Sequence, residues 1–303
     1  MSELPVLTML TLLPIVGGII VLGLEDKQRA RQFALGSSFL TLVLALMLWK
    51  FFDASSGGLQ FVEKHDWIPS LGVQYFLGVD GLGLLMVLLT AIVTPMAILA
   101  SWNIRRADLP VGQDARQRVP THHSSTLFFS LILFLQAGLF GTFTALNFFH
   151  WFIFWELSLI PAFFLVRLWG GLNRGPAATQ FFIYTMVGSV AMLLAFLAIF
   201  LATGKMDFIE LAEMGRTGSL AGALSAKLGW YELNTHPLAL IIFGGVLLGF
   251  AVKVPMMPFH TWLPATYAEA PSPVTMLLTG VMSKMGVYGF IRILLPIFPQ
   301  QIN

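Results

Sequence analysis

The chain has 303 residues, of which 57% are apolar and only 11% charged, with 17 basic and 15 acidic side chains. An average soluble domain carries about 25% charged residues, and a mean hydropathy of +0.81 leaves too few polar groups to clothe a water-facing body. The soluble class is therefore excluded. Lack of cysteine excludes disulfides, thiolate metal sites, iron–sulfur clusters and cysteine nucleophiles within these residues, and scattered basic groups with a net charge of +2 exclude a nucleic-acid-binding face.

A membrane helix needs about 20 apolar residues. Eight runs meet that need: 4–24, 32–52, 79–102, 125–146, 148–168, 178–203, 237–268 and 274–296. They are about twice as long as barrel strands and apolar all round instead of alternating. The expected fold is all-α, a polytopic transmembrane helix bundle forming one membrane domain over 1–303, with the seventh span broken. The opening Met1-Ser2-Glu3-Leu4-Pro5 lacks a basic segment, and no small-residue cleavage site follows Leu24. The first run is thus expected to be a retained span, not a signal peptide. Loops after runs 1, 3 and 5 hold nine basic residues (Lys27, Arg29, Arg31, Arg105, Arg106, Arg116, Arg118, Arg167, Arg174), and those after runs 2, 4 and 6 hold five (Lys50, Lys64, Lys205, Arg216, Lys227). The positive-inside rule puts the odd loops on the cytoplasmic side and the N-terminus on the other. Trp67, Trp102, Trp169 and Trp230 lie near run ends, as an aromatic belt requires.

Two connections are long and polar, 53–78 and 204–236. In the second, Phe208, Ile209, Leu211, Ala212 and Met214 stand among Asp207, Glu210 and Glu213, which predicts a short amphipathic helix on the membrane surface. The adjacent His122 and His123 read as a solvated loop, not a metal site.

Charges inside the runs are the informative residues. Fourteen of the 17 basic residues sit in loops or at run ends, and Arg292 is close enough to an end to snorkel. Lys253 and Lys284 remain, and Glu156 is the acidic residue deep within a run. Each intramembrane charge costs about 2.5–3.5 kcal/mol, so three cost roughly 8–10 kcal/mol and call for a function. Lys253 sits at the centre of 237–268, a run too long for one straight crossing. Pro255 and Pro258 free the carbonyls of Ala251 and Val254, so the helix should break there. Broken backbone at membrane depth is tolerated inside protein or beside a wet cavity, and a lysine beside freed carbonyls has the character of a transporter ion site. Gly245 and Gly249 predict close contact with a neighbouring helix. Lys284 is flanked by Gly280 and Gly286, and Glu156 by Trp155 and Leu157, with Pro161 five residues on. His260 follows Lys253 by about two helical turns and would share its face if the helix resumes, as a possible proton relay. The plainer readings are structural charge pairs for the three charges and a satisfied structural role for His260. Asp80 is expected to cap the third span, and Glu269 to be a cap or an interface group.

Several stretches resemble a known family. His260-Thr261-Trp262-Leu263-Pro264, Ala268-Glu269-Ala270-Pro271 and the segment from Leu278 through Lys284 to Arg292 resemble the signature of the antiporter-like subunits of respiratory complex I. Trp155-Glu156, Pro161, Trp169-Gly170-Gly171, Phe181 to Thr185, Gly188-Ser189 and Gly78-Val79-Asp80-Gly81 are similar to the subunit M type. The likeness runs from about residue 78 onward. It implies a membrane subunit of the proton-translocating NADH:quinone oxidoreductase, with Glu156, Lys253 and Lys284 matching the family's proton-handling groups. It also implies an N-terminal three-helix segment (1–122) and a first five-helix repeat (123–303), an antiporter-like fold that stops after its eighth helix, short of the second repeat. This length of chain is expected not to pump alone.

Under that resemblance the chain is a non-redox subunit of a translocase. It is expected to hold no cofactor or metal, with FMN, iron–sulfur clusters and quinone in other subunits. Its expected partners are other membrane subunits of complex I, above all neighbouring antiporter-like ones, and the lipid bilayer; no nucleic acid is expected. The expected location is multi-pass in a bacterial inner membrane. Gly78-Val79-Asp80-Gly81-Leu82-Gly83 opens a membrane run instead of a strand–turn–helix, so it is not a nucleotide loop. Burial and a carboxylate act oppositely on a lysine's hold on its proton, so movement of Glu156 relative to Lys253 would let the lysine load and unload. Carrying one charge against about 150 mV costs roughly 3.5 kcal/mol, which a swing of about three pKa units in one lysine covers. Three other readings remain open: a subunit of a multi-subunit sodium/proton antiporter, a subunit of a membrane-bound hydrogenase complex, and a structural membrane subunit without translocation.

Overall fold

The structure, a computed structural model, describes residues 4–102, 124–228 and 235–302. The chain runs through α1 (Val6–Leu22), α2 (Lys27–Lys50), β1 (Gln60–Ile68), β2 (Val73–Val79), α3 (Gly81–Ala100), α4 (Ser124–Thr144), α5 (Phe148–Trp169) and α6 (Arg174–Thr203). Two short helices follow, α7 (Phe208–Thr217) and α8 (Ser219–Leu228), then α9 (Thr235–Lys253), α10 (Trp262–Glu269) and the long α11 (Ser272–Ile297). Among the described residues six helices are long and apolar enough to cross a membrane, and Val6–Leu22 and Pro237–Lys253 are shorter apolar helices. Together they fall on the eight expected runs. Pro14, Pro95 and Pro161 sit inside α1, α3 and α5 without ending them, which membrane helices tolerate where neighbours re-satisfy the freed backbone.

The bundle is built around α4. Of its apolar stretch 89% is buried, against 33% for the peripheral α2. α4 packs on α1, α2, α3 and α5, while α6 pairs with α9. The glycines of α9 explain that second pairing. A Cβ on Gly249 would come within 2.6 Å of the Met192 Cβ and 3.0 Å of the Gly188 carbonyl oxygen on α6. The close contact expected at Gly245 and Gly249 is therefore made, and α6 is the partner.

The connection 53–78, read from sequence as a polar loop, holds an antiparallel hairpin of β1 and β2. Its turn closes on Gly72, whose φ of 62° suits a residue without Cβ. The Glu63 carboxylate accepts hydrogen bonds from the Leu7 and Thr8 backbone N–H groups at 2.8 and 3.2 Å, an anion at the positive end of α1. Leu146 N–H donates to the Phe76 carbonyl at 2.8 Å, tying β2 to the α4–α5 junction. Lys64 lies 3.4 Å from Asp207, whose other oxygen accepts from the Asn147 amide at 2.6 Å. The hairpin is thus pinned to three parts of the bundle.

The amphipathic helix expected within 204–236 is α7. It buries Phe208, Leu211 and Gly215, and Gly215 packs directly on the Ile297 carbonyl at the end of α11. One expectation fails: Trp169 is buried against the Phe128 ring at 5.1 Å, so it is a packing residue and not part of an aromatic belt. Trp102 stacks under the Arg31 guanidinium at 4.1 Å. Trp230, His122 and His123 lie outside the described residues.

Candidate proton-handling site

α9 ends at Lys253, and helix resumes only at Trp262 in α10. The break falls where Pro255 and Pro258 remove two backbone donors. Of the two carbonyls expected to be left open here, that of Ala251 is occupied. Ala251 accepts from Met256 N–H at 2.9 Å, and Val252 accepts from the Trp262 indole N–H at 3.1 Å. The break is therefore partly closed by its own residues.

Lys253 itself is 3% exposed. Its ammonium stands 5.0 Å from the centre of the Trp155 ring on α5. Trp155 is locked in place: its indole donates to Ser189 Oγ on α6 at 3.0 Å, and its ring packs on Trp151 and Phe250 at 4.8 and 5.8 Å. Glu156 is the next residue along α5, and its charge acts on Lys253 across the gap. None of the ion pairs among the described residues joins the two. One Glu156 oxygen, Oε1, is buried without a hydrogen-bond partner. A cation over an indole face gains about 0.5–2 kcal/mol, and an indole cannot accept the proton. The ring face favours the ammonium, and no direct ion pair among the described residues would have to break for the proton to leave.

Lys284 is placed differently. It lies on an exposed face of α11, in a groove of about 570 Å³ lined by Tyr267, Thr279, Ser283 and Tyr288 among apolar side chains. Its ammonium donates to the Thr279 carbonyl at 3.0 Å and to Ser283 Oγ at 3.3 Å. His260 sits in the unwound segment between α9 and α10, so helical spacing does not place it on the face of Lys253. Its Nδ1 is buried and without a hydrogen-bond partner. It lines neither the Lys284 groove nor the small cavity beside Lys253. The structure thus brings Glu156, Trp155 and Lys253 together, sets Lys284 on the neighbouring helix, and leaves His260 aside.

The remaining expectations concern the frame. Asp80 caps α3 by accepting from Gly83 N–H at 2.8 Å. Its second oxygen pairs with Arg292 at 2.8 Å, so Arg292 is tied to protein and does not reach for the membrane surface. Glu269 accepts from Asn173 N–H at 2.9 Å, and its carbonyl accepts from Gly171 N–H at 2.8 Å, closing the α5–α6 turn onto α10. Sequence reasoning missed Trp155, Tyr267 and Ser283 as site residues. The one signal available for Trp155 was its place beside Glu156.

The comparisons with known proteins bear on this geometry. The family model described as NADH:quinone oxidoreductase/Mrp antiporter, TM, matches residues 145–303, just over half of the chain and all of the site. The chain belongs to this family. It is 38% identical over 296 residues to F(420)H(2) dehydrogenase subunit M of Methanosarcina mazei, covering 98% of this chain and 54% of that protein. It is 36% identical over 302 residues to NAD(P)H-quinone oxidoreductase chain 4 2 of Thermosynechococcus vestitus, covering 98% of this chain and 50% of the relative. A chain of respiratory complex I from Thermus thermophilus with bound NADH superposes with a TM-score of 0.73 at 27% identity, over 97% of this chain and 54% of that one. The chain spans about half the length of these relatives. The expected likeness to antiporter-like complex I subunits of the M type is borne out, and so is the helical antiporter-like fold.

Proposed function

We propose that the chain is part of a proton-conducting membrane subunit of a quinone-reducing complex of the NADH:quinone oxidoreductase type, in which Lys253 loads and unloads a proton under control of Glu156. The observation that carries the reading is Lys253 itself, buried at the end of a broken helix on the Trp155 ring, with the Glu156 charge near but not in contact. A static structural cation would be expected in a direct ion pair, as Arg292 is with Asp80. An ammonium held only by a ring face and a remote carboxylate is poised to exchange.

On this reading the chain moves protons and no electrons. FMN, iron–sulfur clusters and quinone then belong to other subunits, and the partners are neighbouring membrane subunits, antiporter-like ones first. The names of the relatives carry different reductants, F(420)H(2) and NAD(P)H, which fits a subunit whose residues never meet the electron donor. The excess of basic residues in the odd loops supports an N-terminus on the non-cytoplasmic side of a bacterial inner membrane.

The test uses the full-length protein in its assembled complex, in sealed vesicles. Lys253→Ala and Glu156→Gln should each lower protons moved per electron pair severalfold, at an electron-transfer rate restored by an uncoupler. Unchanged proton stoichiometry in Lys253→Ala would remove the lysine from the path.

A further inference from the structure

Lys253 and Lys284 lie on opposite sides of a thin wall. The cavity beside Lys253 has a volume of about 10 Å³, room for about one water molecule, and is lined by Phe181, Lys253, Trp262, Tyr267, Leu278, Met282 and Ser283. Tyr267 and Ser283 also line the groove that holds Lys284. Of the side chains around the small cavity, Phe181, Leu278 and Met282 have no exchangeable proton, and the Trp262 N–H is committed to the Val252 carbonyl. Besides Lys253, only the two hydroxyls remain to pass a proton, and they alone belong to both spaces.

The local backbone supports the same pairing. α11 widens into a π turn over Leu278–Met282, immediately before Ser283, a distortion that recurs at functional sites. The Thr279 carbonyl accepts both Ser283 Oγ at 2.9 Å and the Lys284 ammonium at 3.0 Å. Lys284 is thereby folded back toward Ser283 Oγ, 3.3 Å away, instead of extending from the helix. On the other side, the Tyr267 side chain lines both the small cavity and the groove together with Ser283.

We propose that Tyr267 and Ser283 form a hydroxyl relay that carries protons between Lys253 and Lys284, the part the sequence had offered to His260. The inference rests on the reading of the two lysines as proton carriers. A hydroxyl accepts and donates at once, so the step balances without any other reagent. An N–H bond of the Lys253 ammonium breaks as an O–H bond forms on the relay. The relay's original O–H proton moves on, and an N–H bond forms on a neutral Lys284 amine. The Ser283 hydroxyl resets by rotating between the Thr279 carbonyl and the Tyr267 oxygen.

The experiment compares Ser283→Thr with Ser283→Val, equal in bulk and differing in the hydroxyl, and adds Tyr267→Phe. Each is made in the full-length protein within its complex, with intact assembly checked on native gels and Lys253→Ala run alongside. The Thr variant should keep protons per electron pair near the parent value. The Val variant, and Val combined with Tyr267→Phe, should lose about a hundredfold in the proton-transfer step, the lower end of what one positioned proton-transfer partner contributes. The remaining flux should show a larger solvent deuterium isotope effect. Equal stoichiometry and equal isotope effect in Thr and Val would overturn the relay. If Lys253→Ala still abolishes pumping in that case, the lysine reading survives and the relay alone is lost; if Lys253→Ala pumps normally, both fall.

Discussion

The two intramembrane lysines occupy opposite kinds of place. Lys253 is sealed into the bundle at the end of a broken helix, over an aromatic ring fixed by three neighbours. Lys284, on an unbroken helix, is exposed in a wide groove and satisfied by a carbonyl and a hydroxyl. The buried group is costly to keep and costly to disturb, so its surroundings are rigid. The open group can trade its partners for others at little cost. A proton path needs both: a gated position that controls release and a receptive one that accepts.

That contrast sets the order of expected effects. Trp155→Ala should be the most damaging change. It removes a fully buried ring along with the face beneath Lys253, at a cost of about 3–5 kcal/mol. Loss of assembled complex on native gels and a lowered melting temperature would show it, and Trp155→Phe should restore most of the fold while still weakening coupling. Gly249→Ala comes next. Its Cβ would press on Met192 Cβ and the Gly188 carbonyl, at an overpacking cost of about 1–3 kcal/mol, and should lower thermal stability and move the Lys253 end of α9. Asp80→Ala should cost about 1–2 kcal/mol, because it removes the α3 cap and leaves Arg292 unpaired; thermal unfolding in detergent measures it. Lys284→Ala should change stability least, by no more than about 0.5 kcal/mol as for an exposed side chain, and yet impair pumping. A stability loss from Lys284→Ala as large as that from Trp155→Ala would erase the distinction between the two sites.

Hydropathy revealed the spans because a bilayer demands long apolar helices and tolerates few alternatives. Glu156, Lys253 and Lys284 were visible for the same reason, as charges in runs that exclude charge. The helix break was visible in Pro255 and Pro258. What escaped was whatever depends on how separate helices are rotated against each other. Trp155 faces Lys253 and Ser189 because α5 presents that side to α6 and α9. Tyr267 and Ser283 are 16 residues apart and line one cavity only because of how the chain turns between α10 and α11. The hairpin was hidden because β1 is largely exposed and polar, QFVEKHDWI, and β2 is buried along most of its length, so neither strand shows the alternation of a sheet with one wet face. His260 was drawn in by a spacing that holds only for continuous helix, and the helix is not continuous there.

The central claim is that Lys253 gives up its proton in each cycle, and Lys253→Arg tests it most directly. Arginine keeps the positive charge over Trp155 but does not deprotonate in proteins. Measured as protons translocated per electron pair in sealed vesicles of the assembled complex, Lys253→Arg should be as defective as Lys253→Ala. Pumping restored by arginine, while alanine fails, would show that the site requires only a fixed charge and would contradict the account.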